Sequence, residues 1–151
     1  MLVKDIMLTE FITVTPSMSW REAAELLLKH RLSGAPVIDA NGRLIGILSE
    51  KDLFRGLFPS HAEWAETPHD FMDFQAFESR ASDMRERKVE DVMSRRVIDA
   101  RPDTPVLKIG ALMASSGIHH VPVVEKGKPI GMVNRGTIYR AILEKAFRTK
   151  G

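Results

Sequence analysis

The sequence predicts an α/β (α+β) fold made of two β-α-β-β-α repeats. Three observations predict it: short β-branched or apolar runs alternate with helical spacings, a tight-turn signal divides the last two strands of each set, and the whole order occurs twice. Asp5-Ile-Met7 matches Asp91-Val-Met93, Pro16 matches Pro102, and Pro36-Val37 matches Pro122-Val123, each 86 positions later. A shorter second turn, Gly127 against Asn41-Gly42, brings Gly46 and Gly131 to a spacing of 85.

In the first copy, Phe11-Ile-Thr-Val-Thr15 is β-branched and ends at Pro16, so it reads as a strand. Ser17 or Ser19 caps the next helix, and Glu22 stands where a capping box from Ser19 needs it. Trp20, Ala23, Ala24 and Leu27 recur at helical spacing, while Lys29 and His30 suit the negative end of the helix dipole. Strands over 35–38 and 44–48 flank the Asn41-Gly42 hairpin signal. A helix opened by Ser49, with Asp52 three residues on, closes the copy near Phe58.

The second copy repeats this with strands over 97–100, 120–124 and 129–133. Thr104 caps its first helix, with Pro105 in the first helical position and Gly117 as the stop; the second helix runs from Asn134 to about Phe147. Gly110 weakens the former helix by about 1 kcal/mol relative to Ala and allows close packing.

The connection over 59–87 is too long to be structureless in a compact domain. Pro59 and Pro68 give it an irregular start, after which Phe71, Phe74, Phe77 and Met84 predict an amphipathic helix. Its plain role is to cover core; a subunit contact or a lid is the sharper one. The predicted division is a first repeat over 1–58, a helical connection over 59–87 and a second repeat over 88–151. Each repeat is small for a core of its own, so the two are expected to share one.

Composition excludes several function classes. Without cysteine there is no disulfide frame, thiolate metal site or thiol nucleophile. The 22 basic and 20 acidic residues are interspersed, and the tail Arg140, Lys145, Arg148, Lys150 reads as a solvated helix face, so no nucleic-acid partner is expected. The chain has no apolar run of spanning length and carries Lys4 and Asp5 near its start, which predicts a cytoplasmic protein with no membrane partner. Neither a Gly-x-x-x-x-Gly-Lys loop nor paired carboxylates beside a histidine occur, so no enzyme is expected and no catalytic residue is assigned.

Ser49 and Asp52 have two readings. A helix start favours an anion, and a carboxylate in its first turn can accept hydrogen bonds from the vicinal hydroxyls of a sugar, as a nucleotide requires. Equally, Ser-x-x-Asp is an ordinary helix cap. The segment recurs as Gly131-Met-Val-Asn134-Arg-Gly-Thr137, with the carboxylate lost.

Taken together, the Asp-hydrophobic-Met leads, Ser33-Gly-Ala-Pro36, His119-His-Val-Pro122 and Gly46-Ile-Leu-Ser-x-x-Asp52 resemble a tandem pair of cystathionine β-synthase (CBS) domains, a Bateman module. The likeness covers both copies and omits the connection. It implies two repeats packed with pseudo-two-fold symmetry and a ligand cleft that mixes residues of both. One cleft would take Ile47, Ser49, Lys51 and Asp52 from the first copy, with Arg96, Val97, Ile118, His119 and His120 from the second. The other, weaker or empty, would take Glu10, Phe11, Ser33 and Gly34 with Asn134 and Thr137, since threonine cannot make the two charged hydrogen bonds of a carboxylate. Arg135 reads as an exposed helix charge.

Adjacent histidines on an extended segment point to opposite faces, so His119 and His120 are a poor pair for one metal, and no metal is assigned. The resemblance implies a stand-alone, non-catalytic regulatory module that binds an adenine nucleotide (AMP, ADP or ATP), holds no cofactor, and forms a homodimer through its helices. A cationic S-adenosylmethionine fits His119, His120 and Arg96 less well. A ligand-free dimerisation or interaction protein is the alternative; a regulated protein partner is not written in the sequence.

Overall fold

The computed structural model of the protein describes residues 1–58, 61–66 and 73–148; Pro59, Pro68, Phe71 and Lys150 lie outside the described residues. Each sequence copy contributes a two-stranded sheet. β1 (Gly34–Ile38) pairs with β2 (Leu44–Ser49), and β3 (His120–Glu125) pairs antiparallel with β4 (Lys128–Asn134). The second register runs from His120 opposite Asn134 to Glu125 opposite Lys128, with an irregularity between Val123 and Val124.

The predicted strands over 11–15 and 97–100 shrink to single parallel bridges, Val14 to Val37 and Ala100 to Val123. Val14 donates to Pro36 and accepts from Ile38, and Ala100 donates to Pro122 and accepts from Val124. Two residues further on stand Pro16 and Pro102, which have no N–H for the next rung, so neither ladder extends.

α1 (Trp20–Lys29) starts at Ser19, whose Oγ accepts from the Glu22 amide at 3.1 Å while Glu22 reaches back to the Ser19 amide. α2 (Glu50–Arg55) stops at Gly56, short of Phe58; Met84 lies against Gly56 and leaves no room for a Cβ. α3 (His61–Glu66) and α4 (Phe74–Arg85) occupy the connection. α4 is the expected helix, yet it buries only Met84 and leaves Phe74 83 % exposed. α5 (Val89–Val92) follows, then α6 (Val106–Ser116), which begins one residue later than predicted. Thr104 does not cap it: its Oγ1 accepts from the Arg101 amide at 2.9 Å, closing a local turn, and Pro105 takes the cap position in an extended conformation. Gly117 ends α6 at φ 71°, a left-handed stop that favours glycine. α7 (Arg135–Arg148) completes the chain.

The compact units are not the sequence copies. One comprises Met1–Ile12, Asn41–Leu44 and everything from Arg96; the other comprises Thr13–Ala40 and Ile45–Arg95. Val3 is buried with Ala100, Val106, Ile109, Met113, Val121, Val123, Val133 and Ile138. Val89 and Met93 are buried with Val14, Ala23, Leu27, Ala35, Val37, Leu48 and Leu53. Instead of one shared core there are two clusters, each completed by the lead segment of the other copy.

Matching hydrogen bonds make the exchange. Val3 and Lys4, in a short 3-10 turn, donate to Thr104 and Pro102; Val89 and Glu90 donate to Met18 and Pro16. Leu8 then exchanges both backbone bonds with Met132, at 2.8 and 2.9 Å, and Ser94 does so with Ile47, both at 2.9 Å. The strand glycines make this close approach possible. A Cβ on Gly46 would lie 2.8 Å from Met93 Sδ, and one on Gly131 2.8 Å from Met7 Sδ. The Asp-hydrophobic-Met motif is thus a lead that caps itself through Asp5 or Asp91 and seats its methionine over a glycine of the other copy.

The two hairpin turns differ. Lys126 and Gly127 both have positive φ, 52° and 79°, as a two-residue type I′ turn requires. In the first hairpin only Gly42 does, because five residues separate β1 from β2. Lysine is strained in the left-handed region, where asparagine is tolerated. Lys126→Asn is therefore expected to stabilise the protein by up to about 1 kcal/mol, raising the melting temperature by about 2–4 °C, measurable by calorimetry.

Candidate functional site

In the unit formed by 13–40 and 45–95, the candidate groups gather at the β2–α2 junction. Ser49 and Asp52 form a reciprocal capping box: the Ser49 amide and hydroxyl donate to Asp52 Oδ2 at 2.9 and 3.0 Å, and the Asp52 amide donates to Ser49 Oγ at 3.3 Å. From the exchanged lead, the Ser94 hydroxyl donates to Oδ1 at 3.3 Å. Arg55 Nη2 stands 3.6 Å from the same oxygen with its side chain largely in solvent. Asp52 is 4 % exposed, the one buried charged residue among those described.

A carboxylate offers about four acceptor positions. Oδ2 is filled by two donors from Ser49, whereas Oδ1 has one hydrogen bond and an arginine just beyond hydrogen-bond distance. Capping therefore leaves acceptor capacity on Oδ1. Ile47 is half-buried on β2, and Lys51 is exposed in the first turn of α2. Ser33, exposed, accepts from the Glu50 amide through its carbonyl, which ties the segment Ser33-Gly34 to the start of α2.

The other unit carries Arg96, Val97, Ile118, His119 and His120, together with Glu10, Phe11, Asn134 and Thr137. Arg96, His119 and Glu10 are exposed; Val97, His120 and Phe11 are half-buried, and Ile118 packs on the core. The Arg135 amide donates to the His119 carbonyl at 2.9 Å, and its guanidinium lies 3.1 Å from His119 Nε2. A guanidinium only donates, so this is a hydrogen bond when Nε2 carries its lone pair. Arg135 is exposed as expected, but the sequence did not reveal its pairing with His119. Asn134 Oδ1 accepts both the amide and the hydroxyl of Thr137, at 2.9 and 3.0 Å. Here Thr137 stands where the other junction has the Asp52 carboxylate, and Leu8 occupies the position equivalent to Ser94.

Ser94 is the group that sequence reasoning missed. Its only signal was its place directly after Asp91-Val-Met93, which gains meaning once the leads are seen to be exchanged. Among the described residues, no group of three or more His, Asp or Glu could hold a metal ion, and no helix is long and apolar enough to cross a membrane.

Burial first, and the neighbouring His119 second, lower the pKa of His120 below the ordinary 6.5. Just below pH 6.5 the unfolded chain then binds more protons at this site than the folded one, so stability falls as the solution is acidified. The contribution is complete above about pH 6.5 and is lost as pH drops toward the folded-state value. Melting curves between pH 7.5 and 5 are expected to show a smaller acid decline for His120→Gln than for the parent protein; equal declines would remove His120 as a cause.

The profile of the CBS domain matches residues 3–58 and 89–144. The uncharacterized protein MJ1426 of Methanocaldococcus jannaschii is 33% identical over 95% of this chain and 92% of its own length. Two longer relatives that bear enzyme names, L-aspartate semialdehyde sulfurtransferase and homoserine O-acetyltransferase, are spanned over only 23% and 24% of theirs. CBSX2 of Arabidopsis thaliana, in a crystal structure with AMP, is 29% identical with a TM-score of 0.72, covering 96% of this chain and 98% of that one. The CBS domain pair of protein MJ0100, with 5′-methylthioadenosine and S-adenosyl-L-methionine, is 29% identical with a TM-score of 0.71 over the same shares. With both sequence copies matched over their strands and helices, the chain belongs to the CBS domain family as a tandem pair.

Proposed function

We propose that this chain is a non-catalytic regulatory module that binds an adenosine-containing ligand, an adenine nucleotide in preference to S-adenosylmethionine, with the Asp52 carboxylate as acceptor for the ribose hydroxyls. The observation that carries the reading is the state of that carboxylate: buried, held in one orientation, and with acceptor capacity left on Oδ1. Support for the ligand class comes from relatives whose structures contain AMP, or 5′-methylthioadenosine and S-adenosyl-L-methionine. The reading assigns Ile47, Ser49 and Lys51 to the same ligand. Arg96, Val97, Ile118, His119 and His120 are assigned to base and phosphate, with Arg135 added through its contact to His119. Asn134 and Thr137, with Glu10, Phe11, Ser33 and Gly34, form the weaker or empty counterpart.

The alternative, that Asp52 only caps α2, draws on the same burial. Calorimetric titration of the pure protein and of Asp52→Asn with AMP, ADP, ATP, S-adenosylmethionine and 5′-methylthioadenosine separates the two. Saturable binding weakened by the substitution supports the sensor; no heat from any ligand supports the cap. Steady nucleotide turnover would overturn the non-catalytic reading.

The module is further proposed to act as a homodimer through its helices. A groove of about 610 Å³ on α1 and α2, lined by Trp20, Leu28, Phe54 and Leu57, supports a self-association face. In the other unit, Leu107, Leu143 and Phe147 are exposed on α6 and α7. Light scattering that gives the mass of one chain at micromolar concentration would remove the dimer.

A further inference from the structure

We propose that Ser94 is a positioning residue for the ribose-accepting carboxylate, and that the exchanged lead thereby decides which copy can take a ribose. The inference rests on the reading of Asp52 as the ribose acceptor. Both bonds from Ser49 go to Oδ2, so Oδ1 is the oxygen with capacity for a ligand; the Ser94 hydroxyl donates a hydrogen bond to it at 3.3 Å, with Arg55 farther off at 3.6 Å. Without that donor Oδ1 keeps only the largely solvent-exposed Arg55 guanidinium at 3.6 Å, and the carboxylate can rock about its Cβ–Cγ bond. The Ser94 backbone is tied to β2: its amide and carbonyl both bond to Ile47 at 2.9 Å, and its hydroxyl is presented from that paired backbone. A donor held in place beforehand requires no rearrangement when the ligand arrives.

The internal duplication supplies an independent comparison. Leu8 makes the same paired backbone bonds to Met132 that Ser94 makes to Ile47, but carries no hydroxyl, and in that copy the carboxylate is replaced by Thr137. The hydroxyl of the lead and the carboxylate of the motif are present together in one copy and absent together from the other. A hydroxyl that merely helped the lead to pack would be as useful over β4 as over β2.

The test is a set of titrations of the full chain with AMP and 2′-deoxy-AMP, using the parent protein, Ser94→Ala, Ser94→Thr and Asp52→Asn. Ser94→Ala is expected to weaken AMP about tenfold and to move the AMP to 2′-deoxy-AMP affinity ratio several-fold toward one, with Ser94→Thr restoring most of both. Equal weakening of the two ligands would mean a structural role and overturn the proposal, as would unchanged affinity for AMP. If Asp52→Asn binds AMP as tightly as the parent, or the parent binds neither ligand, the ribose reading fails and takes this inference with it. Weak binding by Asp52→Asn beside normal binding by Ser94→Ala removes the Ser94 role alone.

Discussion

Met93→Ala is expected to destabilise the protein by about 2–5 kcal/mol, and to do so in the copy to which Met93 does not belong in sequence. Met93 is buried in the cluster of Val14, Leu27, Val37 and Leu48, with its sulfur over Gly46. Truncation removes three heavy atoms from that cluster and leaves a cavity that the hydrogen-bonded Ile47–Ser94 backbone cannot close. For a chain of this length the melting temperature should fall by about 4–20 °C. Native-state hydrogen exchange locates the damage. Protection should drop in α1, β1 and β2, whereas β3, β4 and α6 keep theirs. Loss of protection confined to 120–134 would show that the lead serves its own copy and would refute the exchange.

Asp52→Asn should leave the fold largely intact while lowering adenine-nucleotide affinity by ten- to a hundredfold. An amide oxygen can still accept from Ser49, and the Ser94 hydroxyl can turn to accept from the amide nitrogen, so each buried donor retains a partner. The loss comes from exchanging charged for neutral hydrogen bonds to the ribose, about 1.5–3 kcal/mol. Asp52→Ala differs in kind. It strips the partner from the Ser49 amide and hydroxyl and from Ser94, costing about 1–3 kcal/mol of stability before any ligand is added. Calorimetry on both variants, with and without AMP, separates the cap from the site. Full affinity in Asp52→Asn would leave the carboxylate with capping alone.

Much of the architecture was legible in the residues because it is local. Ser19 with Glu22, and Ser49 with Asp52, are boxes closed within four residues, and Gly117 is a left-handed stop that side chains avoid. The duplicated order of strands and helices follows from spacings that any stretch of chain displays by itself. Where the reading of single elements failed, a group only two or three residues away had intervened. The runs 11–15 and 97–100 have strand composition, but their ladders need a proline amide that does not exist. Thr104 has the chemistry of a cap, yet its hydroxyl is taken by the Arg101 amide.

By itself, then, the sequence determined the element order, the internal repeat, the family and the residue types at each motif position, since all of these reside in composition and spacing. Only the tertiary structure decided which copy each lead completes. A short helical turn that begins with a buried valine and is followed by a methionine presents the same apolar groups to either hairpin, and composition cannot distinguish its own glycine from the equivalent one 85 residues away. That choice brings Ser94 to Asp52 and Leu8 to β4. The two junctions consequently differ in hydrogen-bonding capacity through a residue that lies outside the motif defining them.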